Sequence, residues 1–148
     1  MQVQWSTNPL EAMAQLPVGL FVMTASFEDE RAGIVVRSVL PCGTEPPLIC
    51  VAARTGHRIE PLIRDSRCFA ICQLDPHHKL ALRKFDPDAP EERGDPFDAI
   101  PIESLATGSP VLRGAPLVFD CEVVRHYDLE TDFELYVGQV LAARAARS

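Results

Sequence analysis

The sequence predicts a mainly β protein with short α-helices, its six antiparallel strands curled into a small closed barrel. Three observations lead there. Six short segments are rich in β-branched, aromatic or small apolar residues. Turn chemistry, rather than crossover helices, separates most of them. The strand–helix alternation of a doubly wound sheet is missing, and six strands of this length suit closure into a barrel.

In chain order, residues 9–15 read as a short helix, with Asn8 as N-cap and Pro9 in the first turn. "VGLFVMTAS", 18–26, is the first strand and "FEDERAG" an acidic hairpin turn. "GIVVRSVL", 33–40, is the second strand, and "PCGTEPP" a loop by its proline and glycine content. "LICVAAR", 48–54, is apolar or small on both faces and is expected near the centre of the sheet. Residues 55–66 give a turn and a short helix whose Pro61 must lie in its first turn. "CFAICQL", 68–74, is the fourth strand. The helix over 75–85 takes Asp75 as N-cap and Pro76 as its first residue, with Leu80, Leu82 and Phe85 as its apolar stripe. Residues 86–110, rich in Pro, Asp and Gly, form a long excursion of the kind that is usually functional or disordered. "LVFDCEVVRHY", 117–127, and "FELYVGQVLAA", 133–143, close the sheet.

The 148 residues suit one domain, 1–148, whose core needs no disulfide or metal staple. No apolar run is long enough to span a membrane, and the N-terminus lacks the basic segment and apolar core of a secretory leader. The five cysteines form no CxxC pair, and four sit in apolar segments, so they read as reduced thiols of a cytoplasmic protein. There is no GxGxxG, no P-loop and no GxSxG. His77 and His78 are adjacent, so on a helix they point about 100° apart and cannot share a metal. His57 and His126 stand alone and read first as structural residues.

A net charge of −7 argues against nucleic acid and anionic membrane as partners. The charge is uneven. Residues 31–67 hold six arginines (31, 37, 54, 58, 64 and 67) against Glu45, Glu60 and Asp65, a local balance of +3 that leaves −10 elsewhere. Such asymmetry marks either an anion site or arginines spread along solvated faces, and charge alone does not choose.

The order and spacing of several segments narrow the choice. "VGLFVMTAS", "AGIVVRSVLPCG", "EPPLICVAAR", "CFAICQL", "LRKF", "GSPVLRGAPLVFDCEVV" and "TDFELYVGQV" follow one another over roughly residues 10–143. In that order they resemble the flavin reductase-like family of small FMN-binding split-barrel proteins. The resemblance implies a homodimer that holds FMN, with FAD possible, and takes hydride from NADH or NADPH. Carried onto this chain, the flavin would lie against Val35, Val36, Arg37 and Ser38, with Arg37 and Ser38 closing one side of its phosphate site and Arg54, Thr55, His57 and Arg58 the other. Arginine suits that role by bidentate hydrogen bonding to phosphate, and backbone N–H groups of the Gly56 turn or the next helix start would add to it.

The chain departs from the family pattern in four places. Val35 and Arg37 stand where Thr or Ser is common, Cys72 where Asn is, and Phe133 where the family often has a histidine associated with nicotinamide access. No catalytic side chain is assigned. Three readings stay open: a flavin reductase of the kind that serves as the small partner of a flavin-dependent oxygenase; a flavin-binding electron carrier of the same fold without efficient nicotinamide use; or a split-barrel binding module without catalysis.

Overall fold

The computed structural model describes residues 2–90 and 92–147. Helix α1 is Pro9–Met13, followed by strands β1 (Phe21–Phe27), β2 (Glu30–Val36), β3 (Val39–Thr44) and β4 (Pro47–Arg54). Helix α2 (Ile59–Ser66), strand β5 (Cys68–Gln73) and helix α3 (Lys79–Lys84) come next. Two short strands, β6 (Ile102–Glu103) and β7 (Val111–Leu112), precede the long final hairpin of β8 (Leu117–Asp128) and β9 (Phe133–Ala145).

The main sheet is antiparallel throughout, in the order β2-β1-β5-β8-β9-β4-β3. The expected second strand, 33–40, is in fact a break between two. β2 pairs with β1 at one edge of the sheet, and β3 pairs with β4 at the other. Arg37 and Ser38 carry the chain across, where the Ala52 N–H donates to the Ser38 carbonyl at 3.1 Å and the Gly19 N–H to the Arg37 carbonyl at 3.0 Å. Counting β2 and β3 as one bent strand recovers the expected six and brings the two edges together. Most of "PCGTEPP" is therefore strand rather than loop: 41–44 end β3, Glu45 and Pro46 make the turn, and Pro47 opens β4. As an edge strand β3 tolerates Pro41, and it is bulged between Pro41 and Gly43. β4 is paired on both sides but sits one strand from that edge, and its burial alternates instead of being two-sided.

Two cores follow from the strand alternation. Met23, Ala25, Ile34, Val51, Phe69, Ile71 and Tyr136 point into the barrel, where α2 adds Ile59, Leu62 and Ile63. Pro61 lies in the first turn of α2, as its missing N–H requires. Gly138 admits Phe69 here, since a Cβ at that position would come within 2.6 Å of the ring. The opposite face of β1, β5 and β8 buries Val22, Ala70, Cys72 and Val118 against Ala81, Phe85, Phe97, Ile100, Val111 and Leu112. Much of the 86–110 excursion is thus a lid on a second core rather than a free loop. The fully buried Asp120 pins it, accepting from the Ala106 and Thr107 N–H groups at 2.7 and 2.8 Å.

Helix α3 begins later than expected. Residues 75–78 form a turn in which Asp75 accepts from the His77 N–H, and His78 is the N-cap, its Nδ1 accepting from Ala81 N–H at 3.2 Å. Its buried residue is Ala81, with Phe85 one turn on, while Leu80 and Leu82 are half-buried. Helix α1 has the expected Asn8 cap and buries nothing. Among the described residues no helix is long and apolar enough to cross a membrane.

Candidate functional site

The break at Arg37–Ser38 leaves the outer face of β2 and β4 uncovered, and two cavities meet there. They share Arg54, Asp86 and Pro87 as a common wall. The larger, about 570 Å³, is framed by Val35, Val36, Arg37 and Ser38, by Ala52 and Arg54 of β4, by Leu82 of α3 and by Phe133. Met13, Leu16 and Val18 of the N-terminal segment close its open side while remaining more than half exposed. Volume and lining fall in the usual range for a small-ligand site.

The smaller cavity, about 210 Å³, is polar. Thr55, Gly56, His57 and Arg58 form one side of it, and the 83–96 segment the other. Five cations, Arg54, Arg58, Arg83, Lys84 and Arg93, line it against Asp86, Glu92 and Asp95. Its floor is well fixed. Gly56 turns with φ +79°, a left-handed conformation that favours glycine. The Thr55 N–H donates to Asp132 O at 2.9 Å, tying this turn to the β8–β9 turn. His57 Nδ1 accepts from the Ile59 N–H at 3.1 Å and so helps start α2.

Each of the eight residues singled out in the sequence touches one cavity or the other. Val35, Val36, Arg37 and Ser38 line the larger, Thr55, His57 and Arg58 the smaller, and Arg54 both. Val36 does so as a barrel-core residue, 3% exposed. The contributions of α1, Leu82 and the 86–88 turn went unread. A signal for the first was present: Leu10, Met13 and Leu16 recur every third residue, on α1 and just beyond its end, with no core to face.

The structure also divides the six arginines. Arg31 pairs with Asp95, its Nε donating at 2.7 Å, and lies over the Phe97 ring. Arg64 pairs within its own helix with Glu60 and Asp65, and Arg67 is the left-handed C-cap of α2. Arg37, Arg54 and Arg58 are left at the cavities, and of these only Arg54 pairs with a carboxylate among the described residues, Asp88 at 2.9 Å. Three of the six arginines are therefore structural: Arg31 is held by Asp95 of the acidic 86–95 segment, and Arg64 and Arg67 belong to α2 and its cap.

Other titratable groups are packed away from the cavities. Burial pushes the Cys72 thiol up to about 11, and burial with the neighbouring Asp120 charge pushes Cys121 up to about 12. Burial, then the hydrogen bond to Glu134, raises the Tyr136 phenol. His126 stacks on the Tyr136 ring at 4.4 Å, a structural role.

The sequence profile of the flavin reductase-like domain matches residues 13–148. The chain belongs to this family. Among curated proteins it is similar to the FMN reductase (NADH) RutF of Serratia proteamaculans, 26% identical over 132 residues that cover 89% of this chain and 74% of the relative. Among solved structures it superposes on the NADH:FAD oxidoreductase SgcE6 of Streptomyces globisporus with a TM-score of 0.83 at 22% identity, covering 97% of this chain and 89% of the other. BorF, the flavin reductase component of a bacterial two-component tryptophan halogenase, gives 0.77 at 23% identity over 94% and 87% of the two chains. These two likenesses establish the fold, a mainly β antiparallel sheet of the flavin reductase type.

Proposed function

We propose that the chain is an NAD(P)H-dependent flavin reductase acting on FMN, working as one domain over residues 1–148. The observation that carries this reading is the meeting of an apolar slot and a cationic pocket at Arg54. A flavin mononucleotide is a flat apolar ring joined to a phosphate, and the two cavities offer one environment for each. Bound flavin supplies the hydride acceptor, and the nicotinamide is the co-substrate.

The residues of this chain bind, orient and shield. Val35, Leu82, Leu16 and Val18 present apolar surface to the ring and keep water from it. Phe133 adds an aromatic edge to the same wall. Arg54 and Arg58 take the phosphate, supported by backbone N–H groups of the Gly56 turn. Arg37 and Ser38 stand at the opposite rim, where Arg37 is an exposed cation open to a second anionic group. FAD is accommodated if its adenylate runs outward past that rim.

The arrangement suits a homodimer, because the exposed apolar residues of the N-terminal segment border the larger cavity and a second copy would cover them. A flavin-dependent oxygenase or halogenase as recipient of the reduced flavin, in the cytoplasm, accords with the role that BorF's name describes.

Oxidation of NADH and NADPH at 340 nm, with FMN, FAD or riboflavin added, tests the proposal. Turnover that depends on added flavin is expected, and rates no higher than the protein-free background refute it. Phe133 in the cavity wall favours a second reading, a flavin-binding electron carrier with poor nicotinamide use. A yellow protein whose flavin is reduced by dithionite but not by either nicotinamide would select it.

A further inference from the structure

Resting on the flavin reading, we propose that Asp88 is an internal competitor for the ligand's phosphate, holding Arg54 when the flavin is away and shortening the stay of phosphorylated flavins in particular. Arg54 is the one cation shared by both cavities, and its Nη2 donates to Asp88 Oδ1 at 2.9 Å. The pair is open to water, with side chains 41% and 69% exposed, so it is weak and exchangeable. A dianionic phosphate can displace a single carboxylate contact by offering several acceptors to the guanidinium.

Asp88 is nonetheless held in position. Its N–H donates to Asp86 Oδ1 at 2.8 Å, and the residue before that turn is the buried Phe85. Phe85 packs on Phe97 with ring centroids 5.0 Å apart, which fixes the segment at both ends. The other ion-paired acids of the segment have different partners: Glu92 meets Lys84 at 2.7 Å, and Asp95 meets Arg31. Asp88 is thus the described carboxylate that reaches Arg54, and it does so from the wall of the larger cavity. Entry of a phosphate requires this contact to be given up, and its departure is assisted by the contact re-forming. Riboflavin, with no phosphate, has no such competitor. A reductase that hands its flavin to a partner gains release in this way without loosening the ring pocket.

The experiment is a double-mutant cycle on the full chain. FMN and riboflavin are titrated by fluorescence quenching against wild type, Asp88→Asn, Arg54→Ala and the double variant. Asp88→Asn is expected to tighten FMN about threefold to fivefold, the scale of an exposed ion pair, and to leave riboflavin within about twofold. In the Arg54→Ala background the same substitution should change FMN little. Equal tightening in both backgrounds would mean a diffuse charge effect and overturns the proposal, as do parallel changes for the two flavins or weaker FMN binding to Asp88→Asn. Failure of wild type and Asp88→Asn alike to bind either flavin overturns the flavin reading together with this one.

Discussion

Replacing Arg54 by alanine tests the site at the point where its two halves meet. The side chain would make charge-assisted hydrogen bonds to a phosphate, each worth ~1.5–3 kcal/mol net. In the free protein the same guanidinium already has a partner in Asp88, an exposed pair worth ~0–1 kcal/mol that binding must give up. Taking the ion pair at its midpoint of ~0.5 kcal/mol, the difference is ~1–2.5 kcal/mol, a loss of FMN affinity of about 5- to 60-fold. Riboflavin keeps the ring contacts in the larger cavity and should lose less than about twofold. Arg58→Ala should act in the same direction, since Arg58 lines the smaller cavity and has no carboxylate partner among the described residues. Calorimetric titration with both flavins measures the two losses on one protein preparation. Equal losses for FMN and riboflavin would refute the assignment, because the phosphate is the group that separates them.

Three further outcomes test the frame around the site. Asp120→Ala should destabilise the fold by ~2–5 kcal/mol, because the Ala106 and Thr107 N–H groups lose their acceptor; a change below ~1 kcal/mol in urea unfolding would contradict this. Gly138→Ala should lower the melting temperature by ~3–10 °C, since its Cβ would meet Phe69 at 2.6 Å and Cys121 at 2.7 Å; an unchanged melting point would show that β9 yields freely. The Cys72 and Cys121 thiols have folded-state values of about 11 and 12, above the 9.0 of an exposed thiol. Their contribution to stability is therefore complete below pH 9 and is lost as the pH rises through the folded-state values. Thiolate absorbance at 240 nm should lag in the native protein relative to the urea-unfolded chain, and coincident titrations would refute the burial argument.

The β-rich class, the helix caps at Asn8 and the position of Pro61 were legible because each follows from local chemistry: side-chain branching, a capping oxygen, a missing N–H. The break at Arg37–Ser38 was not. Its flanks, "GIVV" and "VLPC", both have strand propensity, and the change of partner from β1 to β4 is a non-local event with no glycine or proline at the switch. The N-cap of α3 was misplaced because Asp75 and His78 are both competent caps, and Asp75 was drawn into the turn by the His77 N–H. The 86–110 segment looked like a loop because its buried apolar anchors, Phe97 and Ile100, lie in the short proline-interrupted stretch "DPFDAIPI", which is too brief to show a period. In the site, the arginine cluster was visible as charge, but which arginines were committed to acids depended on the path of that same segment.

The strand break and the site have one origin. A continuous β2–β3 strand would satisfy its backbone along its whole length and leave no gap. Switching partners makes the chain leave the β1 ladder at Val36 and rejoin at Val39, paired with Val51. The two residues between have backbone carbonyls engaged by Gly19 and Ala52, so they are fixed, yet both side chains are exposed. The uncovered β2 edge is then partly sealed by the Val35 N–H donating to the Phe85 carbonyl at 2.7 Å, which carries the end of α3 and the acidic turn after it to the rim of the cavity. The feature that closes the barrel thereby sets Arg37 on one side of the opening and brings Asp86 and Asp88 to the other, facing Arg54. Charge at this opening is consequently a property of the closure, and a substitution such as Ser38→Pro, which would leave the carbonyl but constrain φ at the crossing, should disturb flavin affinity and barrel stability together rather than either alone.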